Sequence, residues 1–164
     1  MKKIISTIVA VIIVALMGIF FPEEAPEAPK VLTPISGKLN PGLETEHRLL
    51  NSRITTTVTL GSEDKFLKIK LKVDWHEAAF RAEEQPLLIY SLPLRDTTGT
   101  ALCDVPGGIQ RRKEQEMDLP CLRYGAAELS DGRVLALVSD CKYGFRLSRG
   151  DLSVTLINTS YGPD

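Results

Sequence analysis

Residues of the kinds that carry catalysis are scarce in this 164-residue chain: three cysteines, two histidines and one tryptophan. Cys103, Cys121 and Cys141 stand too far apart for a zinc knuckle, and no histidine lies near enough in sequence to complete one. The cysteines are expected as small buried apolar side chains; in an oxidising compartment one disulfide would leave one thiol over. A Gly-rich phosphate loop, a nucleophile elbow and a paired C-x-x-C are all missing, so nothing points to nucleotide, acyl-serine or dithiol chemistry. No internal repeat occurs. Charge of one sign is lacking too, with 20 basic against 21 acidic residues. Past residue 29 the count is 18 of each, because Lys2, Lys3, Glu23, Glu24 and Glu27 fall before it. A neutral domain with interspersed charges has no footprint for a polyanion, which excludes nucleic acid as a partner.

What the chain does have begins at its N-terminus. Lys2 and Lys3 precede an uncharged run from Ile4 to Phe21 whose only polar side chains are Ser6 and Thr7. As a helix that run rises about 27 Å, near the thickness of a bilayer's hydrocarbon core. Residues 1–21 are read as a signal-anchor or a signal peptide. No clean A-x-A site follows, which favours an uncleaved anchor over a secreted product. The two lysines place the N-terminus in the cytoplasm and the bulk of the chain outside, joined to the membrane through residues 4–21. Residues 22–46, with Pro22, Pro26, Pro29, Pro34 and Pro41, are expected as an extended tether.

After Asn51 the pattern changes to that of strands. Ile54, Thr56, Val58 and Leu60 alternate with Arg53, Thr55, Thr57 and Thr59. After a turn at Gly61–Asp64, Leu67, Ile69, Leu71, Val73 and Trp75 alternate with Lys68, Lys70, Lys72 and Asp74. A period of two with one apolar and one charged face predicts an antiparallel hairpin with a wet side. Further strands are expected at 87–92, 101–105, 122–129, 133–139 and 152–158, with a tight turn at Ser130-Asp131-Gly132. Val134 to Val138 has no polar face and is expected in the middle of a sandwich. Gly107-Gly108 and the charged stretch Arg111–Asp118 read as a loop or irregular ribbon, and a short helix fits only around Glu77–Glu84. The fold class is all-β, an antiparallel sandwich, partial in extent.

Three places hold chemistry-bearing groups. Asp74-Trp75-His76-Glu77 offers two carboxylates and an imidazole, yet strand alternation sends Asp74 and His76 to one face and Trp75 and Glu77 to the other. A solvated strand end with Trp75 buried is the expectation there. Arg111 and Arg112 follow the glycine pair, where a guanidinium fork could grip sugar hydroxyls; the plainer expectation is surface charge paired with Glu114 or Glu116. Asp140-Cys141-Lys142-Tyr143-Gly144 closes the apolar strand; a cysteine beside a lysine can be activated, but neither His47 nor His76 is placed as its base, and a structural turn is expected. Asn158-Thr159-Ser160 fits a glycosylation sequon, incidental behind a bacterial-looking leader.

Several of these segments, in order, resemble the C-terminal β region of the family 38 glycoside hydrolases, the α-mannosidases. They are Asn51-Ser52-Arg53-Ile54 with Val58-Thr59-Leu60, then Val73 to Glu77, and Asp104 to Arg111. Asp131 to Leu137, Asp140 to Gly144 and Tyr161 to Asp164 follow. Together they cover about 115 residues, and their agreement in order and spacing carries the resemblance. It implies kinship with retaining exo-glycosidases that cleave α-mannosidic bonds with a zinc-bound sugar and an aspartate nucleophile. Both of those belong to an N-terminal barrel-like domain that nothing here matches. On that reading the chain carries no catalytic residue, no metal ligand and no cofactor of its own. A separate mannosidase catalytic chain and an oligosaccharide are the expected partners. The resemblance also implies that Arg111 and Arg112 lie near the sugar. It fades upstream of Glu46, and residues 47–164 are expected as a truncated β domain with open sheet edges prone to pairing or aggregation.

Overall fold

The computed structural model describes residues 41–78 and 85–159, together with the backbone of 31–35. Among the described residues the chain is all strand and turn, without a helix, and every strand pairing is antiparallel. The apolar run 4–21 and most of the short helix expected around Glu77–Glu84 lie outside the described residues. No helix among the described residues is long and apolar enough to cross a membrane. The strands fall into two compact units, not the single domain expected from residue 47, one holding β1–β4 and the other β5–β12 in the ranges given below.

The first unit is one sheet of four strands in sequence order: β1 Val31–Ile35, β2 Gly42–Leu49, β3 Ser52–Thr59 and β4 Lys68–Asp74. The predicted hairpin is β3–β4, with Ile54 opposite Val73 and Val58 opposite Ile69. Ser52, Ile54, Thr56 and Val58 form the buried face of β3, and the lysines of β4 stand in solvent. The stretch expected as a tether is corrected in part, since residues 22–46 contain β1 and the first half of β2. Pro34 is compatible with that strand because β1 is the sheet's edge, where a missing N–H breaks no ladder.

The second unit has two four-stranded sheets. One runs β10 Val134–Val138, β9 Tyr124–Leu129, β6 Thr97–Val105, β7 Gly108–Lys113. The other runs β5 Leu87–Pro93, β12 Asp151–Asn158, β11 Gly144–Ser148, β8 Leu119–Pro120. β11 lies against β6 and β9, and β12 against β9, which makes a sandwich. Leu88, Phe145, Leu147, Leu152, Ala101, Cys103 and Ala127 fill its core. A Cβ on Gly125 would come within 2.5 Å of the Phe145 side chain, so glycine at this point of β9 is what lets the aromatic ring sit against the facing sheet.

Two expectations are overturned here. Val134–Val138 is an outer strand, not a central one: Val134 is 51% exposed, Leu135 37% and Val138 75%. An apolar run without a polar face arises equally from burial on both sides and from an uncovered edge, and only the strand order separates them. The charged stretch from Arg111 is no loop at its start, because Gly108–Lys113 forms β7 with every residue exposed.

Candidate functional site

Arg111 and Arg112 are set in place by the β6–β7 hairpin. Its two-residue turn is Pro106-Gly107, with Val105 opposite Gly108. Proline at the first position and Gly107 at φ +91° meet the needs of a type II turn, whose second central residue must take the left-handed region. The strand that follows pairs Arg111 with Leu102 and Arg112 with Ala101. Adjacent residues on a strand point to opposite faces, so the two guanidinium groups diverge and cannot close on one ligand.

Arg111 reaches over Leu102 on the outer face, and its terminal nitrogen lies 2.6 Å from Oε2 of Glu128 on β9. That partner replaces the Glu114 or Glu116 expected from sequence; Glu116 pairs instead with Arg149 at 2.6 Å. Arg112 folds back, donating from Nε and a terminal nitrogen to Gln110 Oε1 at 3.1 and 2.9 Å. Beside this strand, Arg123 donates to Asp104 Oδ2 at 2.9 Å, and the bond raises the arginine's pKa above its ordinary value. Asp104 is buried while Arg123 is exposed, so the pair leaves a positive group at the surface of the sheet.

The Asp74–Glu77 segment divides as alternation requires. His76 Nε2 and Asp74 Oδ1 are 3.0 Å apart on the wet face. Glu77 turns the other way and holds the β2–β3 loop. Its Oε1 accepts from the Asn51 N–H at 2.8 Å and from the Ser52 hydroxyl at 2.7 Å. Ser52 Oγ in turn accepts from the His76 N–H at 2.9 Å. Trp75 is half-buried, not buried, and its Nε1 donates to Thr159 Oγ1 at 3.0 Å. Both carboxylates therefore have separate structural partners, and no bond could lie between them as glycoside cleavage by an acid pair requires.

The segment after β10 is the expected turn: Ser139 Oγ accepts from the N–H groups of Cys141 and Lys142 at 3.3 and 3.0 Å. Cys141 is exposed, whereas Cys103 and Cys121 are buried. Burial and a hydrogen bond with Cys103 push the Cys121 thiol up to about 12, which keeps it protonated and inert at neutral pH. Among the described residues no three His, Cys, Asp or Glu side chains converge as a metal would need, so these residues do not fit a zinc site.

One polar centre was not foreseen from sequence. Asp118, ahead of β8, accepts two bonds from Arg146 at 3.0 and 2.7 Å through Oδ1, and one from Thr155 at 2.6 Å through Oδ2. It ties β11 and β12 to the β8 segment. Its partners lie 28 and 37 residues away, beyond any spacing rule, and only the β8–β11–β12 register brings them together. No curated protein matches the chain. A family model does: over residues 21–164 the chain matches the glycosyl hydrolases family 38 C-terminal domain, a span that starts well upstream of the Glu46 boundary expected from the motifs. The described residues are all-β, in three antiparallel sheets, and the chain belongs to the family of glycosyl hydrolase family 38 C-terminal domains.

Proposed function

We propose that the chain is the β module of a divided α-mannosidase, supporting mannoside cleavage that a separate catalytic chain performs. The observation that carries this reading is the match of residues 21–164 to the C-terminal domain of the family. The separate engagement of Asp74 and Glu77 supports it, since a glycosidase needs two carboxyl groups facing one bond. In this reading Arg111 and Arg112 are the residues nearest the oligosaccharide. Arg111 has the better claim, because its side chain is 65% exposed and already oriented by Glu128. Residues 4–21 would hold the module at the outer face of a membrane.

The test is an assay of the full chain on an aryl α-mannoside with zinc present. No turnover is expected from the chain alone, and turnover is expected on co-expression with a family 38 catalytic chain. Hydrolysis by the chain alone would sink the proposal. A second reading, a tethered carbohydrate-binding module, predicts oligomannose affinity without any partner, lost in Arg111→Ala. Sugar sites on sandwiches draw on exposed aromatic faces; Trp75 is half-buried with its indole N–H engaged and Lys68 lies over the Phe66 ring, so among the described residues this reading would rest on the exposed Tyr143.

A further inference from the structure

The outer strand β10 has an unusual combination of features. Among the described residues no strand pairs with its free side. Edge strands are ordinarily blunted by lysine, proline, a bulge or brevity. Val134–Val138 has no charge and no proline, and its register with β9 is continuous from Val134↔Glu128 to Val138↔Tyr124.

The direction of its peptide groups follows from two hydrogen bonds at its ends. Leu129 N–H donates to Arg133 C=O at 2.8 Å, and Ser139 N–H donates to Arg123 C=O at 2.8 Å. In an antiparallel ladder the residues whose peptide groups face a given neighbour alternate. Arg133, Leu135, Leu137 and Ser139 therefore face β9, and Val134, Ala136 and Val138 turn their N–H and C=O groups outward.

The sequence of the strand reads the same in both directions about Ala136: Val-Leu-Ala-Leu-Val. We infer that β10 is a self-association edge whose occupant is β10 of a second copy of this chain, placed antiparallel about a two-fold axis through Ala136. That axis sets Val134 opposite Val138, Leu135 opposite Leu137 and Ala136 opposite itself. Every outward N–H then meets an outward C=O, and the two four-stranded sheets become one continuous sheet. A slip of two residues keeps the direction of the peptide groups but leaves one of the three outward pairs unmatched.

The flanks agree in charge. In the centred register Arg133 falls opposite Ser139 and beside Asp140 of the second copy, and the two-fold axis repeats that contact at the other end. Unlike charges meet at both ends, and no like pair is forced together. Val134, Ala136 and Val138 put their side chains on one face of the sheet and are exposed in the single chain, so setting them beside their counterparts in the second copy shields part of an apolar strip from water. This inference does not depend on the mannosidase reading.

The test is the mass of the full chain in mild non-ionic detergent, measured by light scattering behind a sizing column at micromolar concentration. The wild type is expected at twice the chain mass. Ala136→Lys sets two ammonium groups face to face and is expected at half the wild-type mass, with an unchanged circular dichroism spectrum and unfolding midpoint. Ala136→Pro removes an outward N–H that β9 does not use, and is expected to give the same loss. A monomeric wild type would overturn the inference. So would a dimer that survives both substitutions, since it would have to associate elsewhere, as through the apolar run at residues 4–21.

Discussion

At the scale of single residues, the buried face of β3 contains a group that works against the fold. Thr56 is buried, and its hydroxyl finds no hydrogen-bond partner. Its cross-strand neighbour Thr45 is already engaged with His47 Nε2 at 3.1 Å, and burial lowers the His47 pKa, which favours the neutral ring. A buried hydroxyl without a partner costs about 1–3 kcal/mol relative to an apolar group of the same shape. Thr56→Val keeps the branched shape and the strand preference, so it should raise the unfolding free energy by about 1 kcal/mol. Urea titration of the two proteins measures the difference; a lower midpoint in the variant would mean that the hydroxyl makes a bond in solution. The residue scale is also where sequence reading reached least. The burial of Cys103 and Cys121 and the split of Asp74 from Glu77 followed from composition and alternation, whereas Cys141, expected buried with them, is exposed. The partnerships Arg111–Glu128, Arg123–Asp104 and Arg146–Asp118 did not, because each joins strands whose register no local pattern encodes.

At the scale of elements, legibility tracked how strongly one face differs from the other. β3 and β4 were read with their faces correct because threonines, lysines and branched apolar residues alternate without a break. The β9–β10 turn was readable from Ser130-Asp131-Gly132, and Gly132 does take φ +84°. β7 was not, since Gly-Ile-Gln-Arg-Arg-Lys has no apolar period and is a strand only because β6 offers it a ladder. β11 was missed because its pattern is just two buried residues long, Phe145 and Leu147. The β2–β3 connection shows how an element can depend on a residue far from it. Leu50 takes φ +51°, a conformation that costs a residue with a Cβ about 1–2 kcal/mol. Glu77, 26 residues on from Asn51, holds that loop through Asn51 N–H and Ser52 Oγ. Bonds to a charged acceptor contribute about 1.5–3 kcal/mol each at most, less where partly exposed. Glu77→Ala should therefore destabilise the protein by about 2 kcal/mol. Adding Leu50→Gly should recover about 1 kcal/mol of it by removing the strain at positive φ. Thermal unfolding of the single and double variants reads both steps, and a double variant no more stable than Glu77→Ala would show that the loop stores no strain.

At the scale of the whole molecule, the even balance of charge decides how association responds to salt. The formal net charge is −1, so two copies approaching each other repel by only about 0.1 kcal/mol at a separation of roughly 30 Å in water. Long-range repulsion is thus too weak to oppose pairing at low ionic strength or to need screening before pairing occurs. At contact, the cohesive part of a β10 pair is backbone hydrogen bonding and apolar burial, which salt at moderate concentration leaves nearly unchanged. The flanking Arg133 and Asp140 groups are exposed, and pairs of that kind contribute about 1 kcal/mol or less each. Raising the ionic strength from about 0.05 M to about 0.5 M shrinks the screening length to a few ångströms and removes most of that contribution. The two-fold axis supplies two such pairs, about 2 kcal/mol together at most, so the dimer dissociation constant should rise by roughly thirtyfold at most. Sedimentation equilibrium across that salt range measures it. A change of a thousandfold would mean that ion pairs, and not the strand edge, hold the copies together, and a constant that falls with salt would mean that repulsion between unpaired charges limits the contact.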